Sequence, residues 1–409
     1  MSKSSEHLAS FIAQTPIFST HEHHRDDDFY AGMSLDTLFS CSYVGWYTAP
    51  PTPEAGARAA WLEKIRCNSY FVWLEKAVSS IYGEEEITPD NWDSLSEKIR
   101  RAHQEPGYHI RLLQEKAGYI RFLEDCYWNT GSDVGYPDMV TAVYRLDMWM
   151  QGFHPDSVDH DGCNPHANAG SVIPDLDTYL ELLREELVRR RPSIAGLKCA
   201  SAYQRTIRFQ TVTREQAEAL YLKHPSELTQ EEQNRFGDYI LGAACKVAEE
   251  LDLPIQIHTG LALLEGSNPL NLEGLIASHP GNKFVLFHGG FPWIHETAGL
   301  AHNYQNVLID INWLPLISTS AAVQALHMYI EVLPDIRTLA WGGDTWTSEE
   351  AVGASMAFRH VLTRVLSEKV EQGYFTLKQA EQLAEKIMFR NAQNIYNIIP
   401  VQARQMAQP

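Results

Sequence analysis

Short apolar runs alternate with longer amphipathic stretches along most of this chain. The runs at residues 16–20, 118–124, 140–147, 194–199, 254–258, 283–288, 306–311 and 337–342 read as buried strands. Between the later ones, apolar residues recur at helical spacing near 176–190, 231–251, 270–278, 294–303, 317–330 and 348–371. Eight strands with intervening helices predict an α/β chain closed as a distorted (β/α)8 barrel. Residues from about 25 to 115 lack a buried-strand pattern. Helices near 54–81 and 91–104, dense in aromatics (Trp46, Tyr47, Trp61, Tyr70, Trp73, Trp92), predict a helical insertion after strand one. Such an insertion either caps a site or forms an aromatic layer on its neighbours. A lead-in helix at 5–14 precedes the first strand. Extra C-terminal helices near 376–389 and 391–398 are expected to pack outside the barrel, so that 1–409 forms one domain.

The chemistry sits where the apolar runs stop. The first run leads into Ser19-Thr20-His21-Glu22-His23-His24. Side chains alternate along a strand, so His21 and His23 share a side, and two converging imidazoles suit a divalent metal. Three later runs end in His258, His288 and Asp344. A polar ring leaving a buried strand needs a partner, and a metal supplies one to His258. Asp344 follows Gly342-Gly343, which lets the backbone approach closely. Its carboxylate can touch a metal and take a proton from water. Lys198 ends the fourth run and Arg145 the third, while Arg205 follows shortly after Lys198. Guanidinium groups in a cleft suit a substrate carboxylate, and the plainer reading is a salt bridge such as Asp125 with Arg145. His24, beside the ligands, is a candidate substrate contact, although alternation turns it away from His23. His154, His160 and His166 lie six apart in a polar loop and make no metal spacing.

Composition narrows the partners. Lys and Arg number 33 against 52 Asp and Glu, a formal net charge of −19. That argues against nucleic acid or an anionic membrane as the main partner. No run approaches the roughly 20 apolar residues of a spanning helix, and the N-terminus lacks a signal-peptide pattern. The six cysteines are scattered without a C-x-x-C pair, as expected of reduced thiols in a cytoplasmic protein. A dimer or other homo-oligomer is the default expectation for such a barrel.

The ordered set of His21-x-His23, His258, His288 and Asp344 resembles the amidohydrolase superfamily. It is most similar to its amidohydrolase-2 branch of TIM-barrel hydrolases, non-oxidative decarboxylases and uronate isomerase relatives. The ending Phe389-Arg390-Asn391-Ala392-Gln393-Asn394-Ile395-Tyr396 also resembles that branch. The family's first motif often carries an acid two residues before the first histidine; here Ser19 stands there. The resemblance implies a metal-dependent hydrolase that cleaves an amide or lactone bond in a small carboxylated substrate. Zinc, or manganese as the alternative, would be held by His21, His23, His258 and Asp344. Asp344 would serve as proton acceptor, and His288 would polarise the substrate carbonyl. Arg205, Arg145 and His24 would contact the substrate. One ion is the first expectation; in two-metal relatives a carboxylated lysine at the position of Lys198 bridges the ions. A decarboxylase or sugar-acid isomerase on the same site is the second reading, and a catalytically silent binding barrel the third.

Overall fold

The computed structural model describes residues 2–46 and 48–398; Tyr47, part of the predicted aromatic layer, lies outside them. Eight strands form one sheet: β1 (Ile17–Glu22), β2 (Tyr119–Glu124), β3 (Val140–Arg145), β4 (Ile194–Cys199), β5 (Ile255–Ile257), β6 (Phe284–Leu286), β7 (Val307–Asp310) and β8 (Leu339–Ala340). Each pairs in parallel with the next in chain order. The ring closes beyond the short β8. There Thr20 N–H donates to the Trp341 carbonyl (3.2 Å), Asp344 N–H to that of His21 (2.8 Å) and His23 N–H to that of Thr345 (2.9 Å).

This closure explains the two glycines before Asp344. A Cβ on Gly342 would lie 2.6 Å from the His21 nitrogen, and one on Gly343 would lie 2.4 Å from the Glu22 carboxylate. Any larger residue would push β8 off β1 and carry Asp344 away from the histidines.

Inward-facing Phe18, Leu123, Val143, Val285 and Leu308 fill the lower barrel. Each such side chain taken from water contributes about 1.5–3 kcal/mol. The C-terminal helices differ from expectation here. Helix Asn391–Ile395 does not simply pack outside; Ala392, Ile395 and Tyr396 join the interior cluster and plug the lower end. Asn391 Nδ2 donates to the Leu339 and Ile336 carbonyls (2.7 and 2.8 Å), and the Tyr396 hydroxyl accepts from Gln256 Nε2 (2.9 Å). The Asn-Ala…Tyr close is thus a stopper for the barrel floor.

Between β1 and β2 the insertion folds as short helices, including Leu35–Ser40, Ala55–Ile65, Ser69–Tyr82 and Trp92–His103. The helix predicted over 54–81 breaks at Asn68, whose side chain accepts from Tyr70 N–H (2.9 Å) and caps a new helix. Phe39 packs against Trp61 and Trp92 with ring centroids 4.8 and 5.5 Å apart. The insertion and the barrel share one continuous apolar core. Phe39, Trp61 and Trp92 form an aromatic layer within the insertion, and Phe29, Tyr43 and Trp46 from its first part face the site described next.

Candidate active site

A cavity of about 470 Å³ opens at the C-terminal ends of the strands. Its floor is His21, His23, Lys198, His258, His288 and Asp344; Tyr43 and Trp46 reach in from the insertion. Within four residues of a strand's end, three residues hold positive φ without being glycine: His288 (60°) after β6, Trp313 (59°) after β7 and Asp344 (61°) after β8. Such conformations cost of order 1–3 kcal/mol each and persist only where packing over-determines them.

His21, His23 and Asp344 place one ligand atom each within 4.8 Å of one another, and all three are buried. The His21 and His23 rings lie 4.8 Å apart, on one side of the strand as alternation requires. Hydrogen bonding fixes what these atoms offer. His23 Nδ1 is 2.9 Å from the Asp125 carbonyl, an acceptor, so Nδ1 carries a proton, and in the neutral ring Nε2 keeps the lone pair. That lone pair faces Asp344 Oδ1 at 3.1 Å. Two acceptors at this distance repel unless a cation or proton lies between them. His21 Nε2 stands 3.6 Å from both Asp344 Oδ1 and Asp125 Oδ2, while its buried Nδ1 has no hydrogen-bond partner. The donor set of two imidazoles and a carboxylate fits a divalent ion.

The electrostatics agree. Burial, reinforced by Lys198, pushes the His21 imidazole well below its ordinary value, leaving a neutral donor at neutral pH. Burial alone would raise the Asp344 carboxyl, but its contact with His23 holds it well below the usual range. Asp125 is likewise kept ionised, because Arg145 overcomes its burial.

His258 and His288 form a second pair. His288 Nε2 is 3.1 Å from His258 Nδ1, His258 Nε2 is 3.1 Å from the Leu261 carbonyl, and His288 Nδ1 is 3.3 Å from the Asn312 carbonyl. Three links share two protons when both rings are neutral, so one of the three is left without a proton. His288 Nδ1 also faces Asp344 Oδ2 at 3.7 Å. The structure thus brings His288 to Asp344 but seats His258 on His288, outside the His21–His23–Asp344 triad. Burial lowers the His288 imidazole to about 4. Lys198 lines the cavity with its Nζ 3.6 Å from the Phe287 ring centroid, and burial lowers it to about 8.

Three expected substrate contacts look different in the fold. Arg205 is not in the cavity wall; its Nη2 pairs with Asp238 (2.6 Å) and its Nη1 donates to the Asn234 carbonyl (2.7 Å), with both charged groups buried. Arg145 does line the cavity, but Asp125 (2.8 Å) and Asp161 (2.8 Å) match its charge, which is the salt bridge that the plainer reading named. His24 faces away, packed on His109 and Phe122 with ring centroids 4.8 and 5.2 Å distant. A step of one residue along β1 accounts for the reversal. Replacing Arg205 with Leu strands a buried Asp238 carboxylate. We expect a loss of about 3–5 kcal/mol in chemical denaturation with KM unchanged for any substrate turned over; a raised KM would contradict this placement.

Other residues escaped the sequence reading. His160 and Asp161 line the cavity from the loop whose histidines form no metal spacing, whereas His166 is structural, bonded to the Gly152 carbonyl (3.0 Å) and Ile173 N–H (2.9 Å). Glu22, between the two ligands, straps β1 to the β8 loop. It accepts from Ser19 Oγ (2.6 Å), the Tyr119 hydroxyl (2.8 Å), Gly343 N–H (3.1 Å) and both Thr345 N–H and Oγ1 (2.9 and 2.6 Å). Ser19 therefore serves the acid that holds the loop.

Glu350 pins the first part of the insertion by accepting from Tyr43 N–H (2.8 Å), and burial pushes its carboxyl up to about 8. Between 4.5 and about 8 the unfolded chain ionises this group while the folded chain keeps it protonated, so stability falls as pH rises through that window. Glu350→Gln removes that slope. Thermal melts should show the variant gaining on the wild type across the window; parallel curves would contradict the assignment.

Comparison with known proteins follows the same lines. Residues 199–398 match the model of the amidohydrolase family. A stretch of 162 residues, 38% of this chain, is 36% identical to Protein fluG of Emericella nidulans; the match spans only 18% of that protein. A uronate isomerase from Thermotoga maritima superposes with a TM-score of 0.74 at 14% identity, covering 97% of this chain and 98% of that one. A metal-dependent hydrolase from Lactobacillus casei superposes at 0.71 and 17%, covering 98% and 99%. A glucuronate isomerase from Caulobacter crescentus does so at 0.68 and 17%, covering 99% and 94%. At these identities the superpositions establish the shared barrel. Among the described residues no helix is long and apolar enough to cross a membrane. Residues 199–398 thus match the amidohydrolase family, and the histidines and aspartate gathered at the strand ends of the same barrel fit that likeness.

Proposed function

We propose that the protein is a metal-dependent hydrolase that cleaves an amide or lactone bond in a small carboxylated substrate. The observation that carries this reading is the buried cluster of His21, His23 and Asp344, with His23 Nε2 3.1 Å from the Asp344 carboxylate, a donor set that fits a divalent ion. His21, His23 and Asp344 would hold one divalent ion, zinc first and manganese as the alternative. His258 would complete the set by exchanging its contact with His288 for the ion. The ion supplies Lewis acidity and a water acidified toward neutrality.

The chain's own residues do the rest. Asp344 sits between the ligand histidines and His288, placed to accept the proton that the attacking water gives up and to return it to the leaving group. His288, kept neutral by burial, presents a ring N–H to the substrate carbonyl oxygen once His258 turns away. Lys198 faces the same space as a cation beside the developing negative charge, and the one-ion reading leaves it outside the metal set. Tyr43, Trp46 and Trp346 wall the cavity and limit water.

A sugar-acid isomerase is the second reading, favoured by superposition on two such isomerases over nearly the whole chain. Product mass separates the two. Incubation of the metal-loaded protein with amide, lactone and uronate panels should give products heavier by one water in total. A product of unchanged mass would replace hydrolysis by isomerisation, and release of CO2 would replace it by decarboxylation.

A further inference from the structure

The acidic chain keeps an unmatched arginine at its cavity. Arg145 and Arg205 are each neutralised by aspartate, but Arg25, two residues after His23, pairs with no carboxylate among the described residues. Its guanidinium carbon lies 3.8 Å from the Trp128 ring centroid and 4.9 Å from that of Phe29, and it lines the same cavity as His21, His23 and Asp344. A guanidinium lying against ring faces keeps its N–H edge for a partner in its own plane, which is the geometry of bidentate carboxylate recognition. Because the rings already hold it, little side-chain freedom is lost on binding.

A second observation concerns what surrounds it. Phe29, Trp46 and Tyr203 are 41%, 46% and 37% exposed, unusual for large aromatics, and all three line this one cavity. Exposed apolar surface gathered at one opening marks a binding site for an apolar partner. Flat faces favour a flat ligand, since stacked rings add to plain area burial.

We propose that Arg25 is the anion clamp of this site, and that the ligand is a carboxylate carried on a flat, apolar ring. Resting on the reading of the cavity as a metal-dependent active site, this makes the carboxylate a handle held at Arg25. The bond to be broken then lies elsewhere on the substrate, toward Asp344. Arg25 is here a specificity-determining residue, in the role that the sequence assigned to Arg205 and Arg145.

The test is calorimetric titration of benzoate, 3-phenylpropionate, benzamide and glucuronate into metal-loaded wild type, Arg25→Gln and Arg25→Lys, with metal content measured on each. The proposal expects the aryl carboxylates to bind wild type more tightly than glucuronate or benzamide. Arg25→Gln should weaken aryl carboxylates by about tenfold or more, leave benzamide unchanged and keep its metal, with Arg25→Lys recovering part of the loss. Unchanged aryl-carboxylate affinity in Arg25→Gln would overturn the clamp. Glucuronate binding as tightly as benzoate, or no aryl carboxylate binding at all, would overturn the ring. A protein without metal that still binds benzoate through Arg25 would sink the metal-dependent reading and leave the clamp standing.

Discussion

Asp344→Asn should lose between about a hundredfold and ten-thousandfold in turnover while the fold survives. The amide matches the carboxylate in size and keeps the backbone link from Asp344 N–H to the His21 carbonyl (2.8 Å). What it loses is the charge that faces His21 and His23 and the capacity to accept a proton between His23 Nε2 (3.1 Å) and His288 Nδ1 (3.7 Å). Initial rates on whichever substrate the mass screen finds, together with far-ultraviolet circular dichroism, separate lost chemistry from lost structure. A folded Asp344→Asn variant with wild-type turnover would remove Asp344 from the mechanism.

The second large effect belongs to a residue that touches neither metal nor substrate in this account. Glu22→Ala takes the acceptor away from five donors, on Ser19, Tyr119, Gly343 and, twice, Thr345. These groups are buried, so the expected cost is about 3 kcal/mol or more in denaturant unfolding. The same strap sets where Asp344 stands, because Gly343 and Thr345 flank it. Metal affinity should therefore fall by about tenfold to a hundredfold, as for other residues that orient ligands from behind. Chelator competition measures that loss. Stability lost with metal affinity intact would show that the strap supports the barrel seam without positioning the ligand.

Much of this was legible in the sequence, and the reason is periodicity. Buried parallel strands are apolar on both faces, so all eight stand out as runs, and each run stops at the end where a barrel places its chemistry. His21, His23, Lys198, His288 and Asp344 all reach one cavity for that reason. What periodicity does not carry is the partner of a long side chain. Arg205 and Asp238 are 33 residues apart, on a loop and a helix, and no local pattern announces that they meet. Arg145 reads in sequence as either clamp or salt bridge, and Asp161, from the segment that follows β3, pairs with it only in the fold. Glu22, between two ligand histidines, has a task that depends on the β1–β8 closure, which exists only once the ring is formed. Arg25 lay at the start of an insertion with no strand to aim it, and its setting comes from Trp128, more than a hundred residues away. His258 shows a further limit: a strand-end histidine is easily found, but its hydrogen bond to His288 depends on two different strands.

The central claim is that His21, His23 and Asp344 hold one divalent ion. Elemental analysis of the purified chain, wild type beside His21→Ala/His23→Ala and Lys198→Ala, tests it directly. The account predicts about one zinc or manganese per wild-type chain, the same in Lys198→Ala, and none in the double variant. An equal metal content in the double variant, or no metal in wild type after zinc and manganese are supplied, would contradict it. Two ions falling to fewer in Lys198→Ala would contradict the single-ion site and put Lys198 in the bridge.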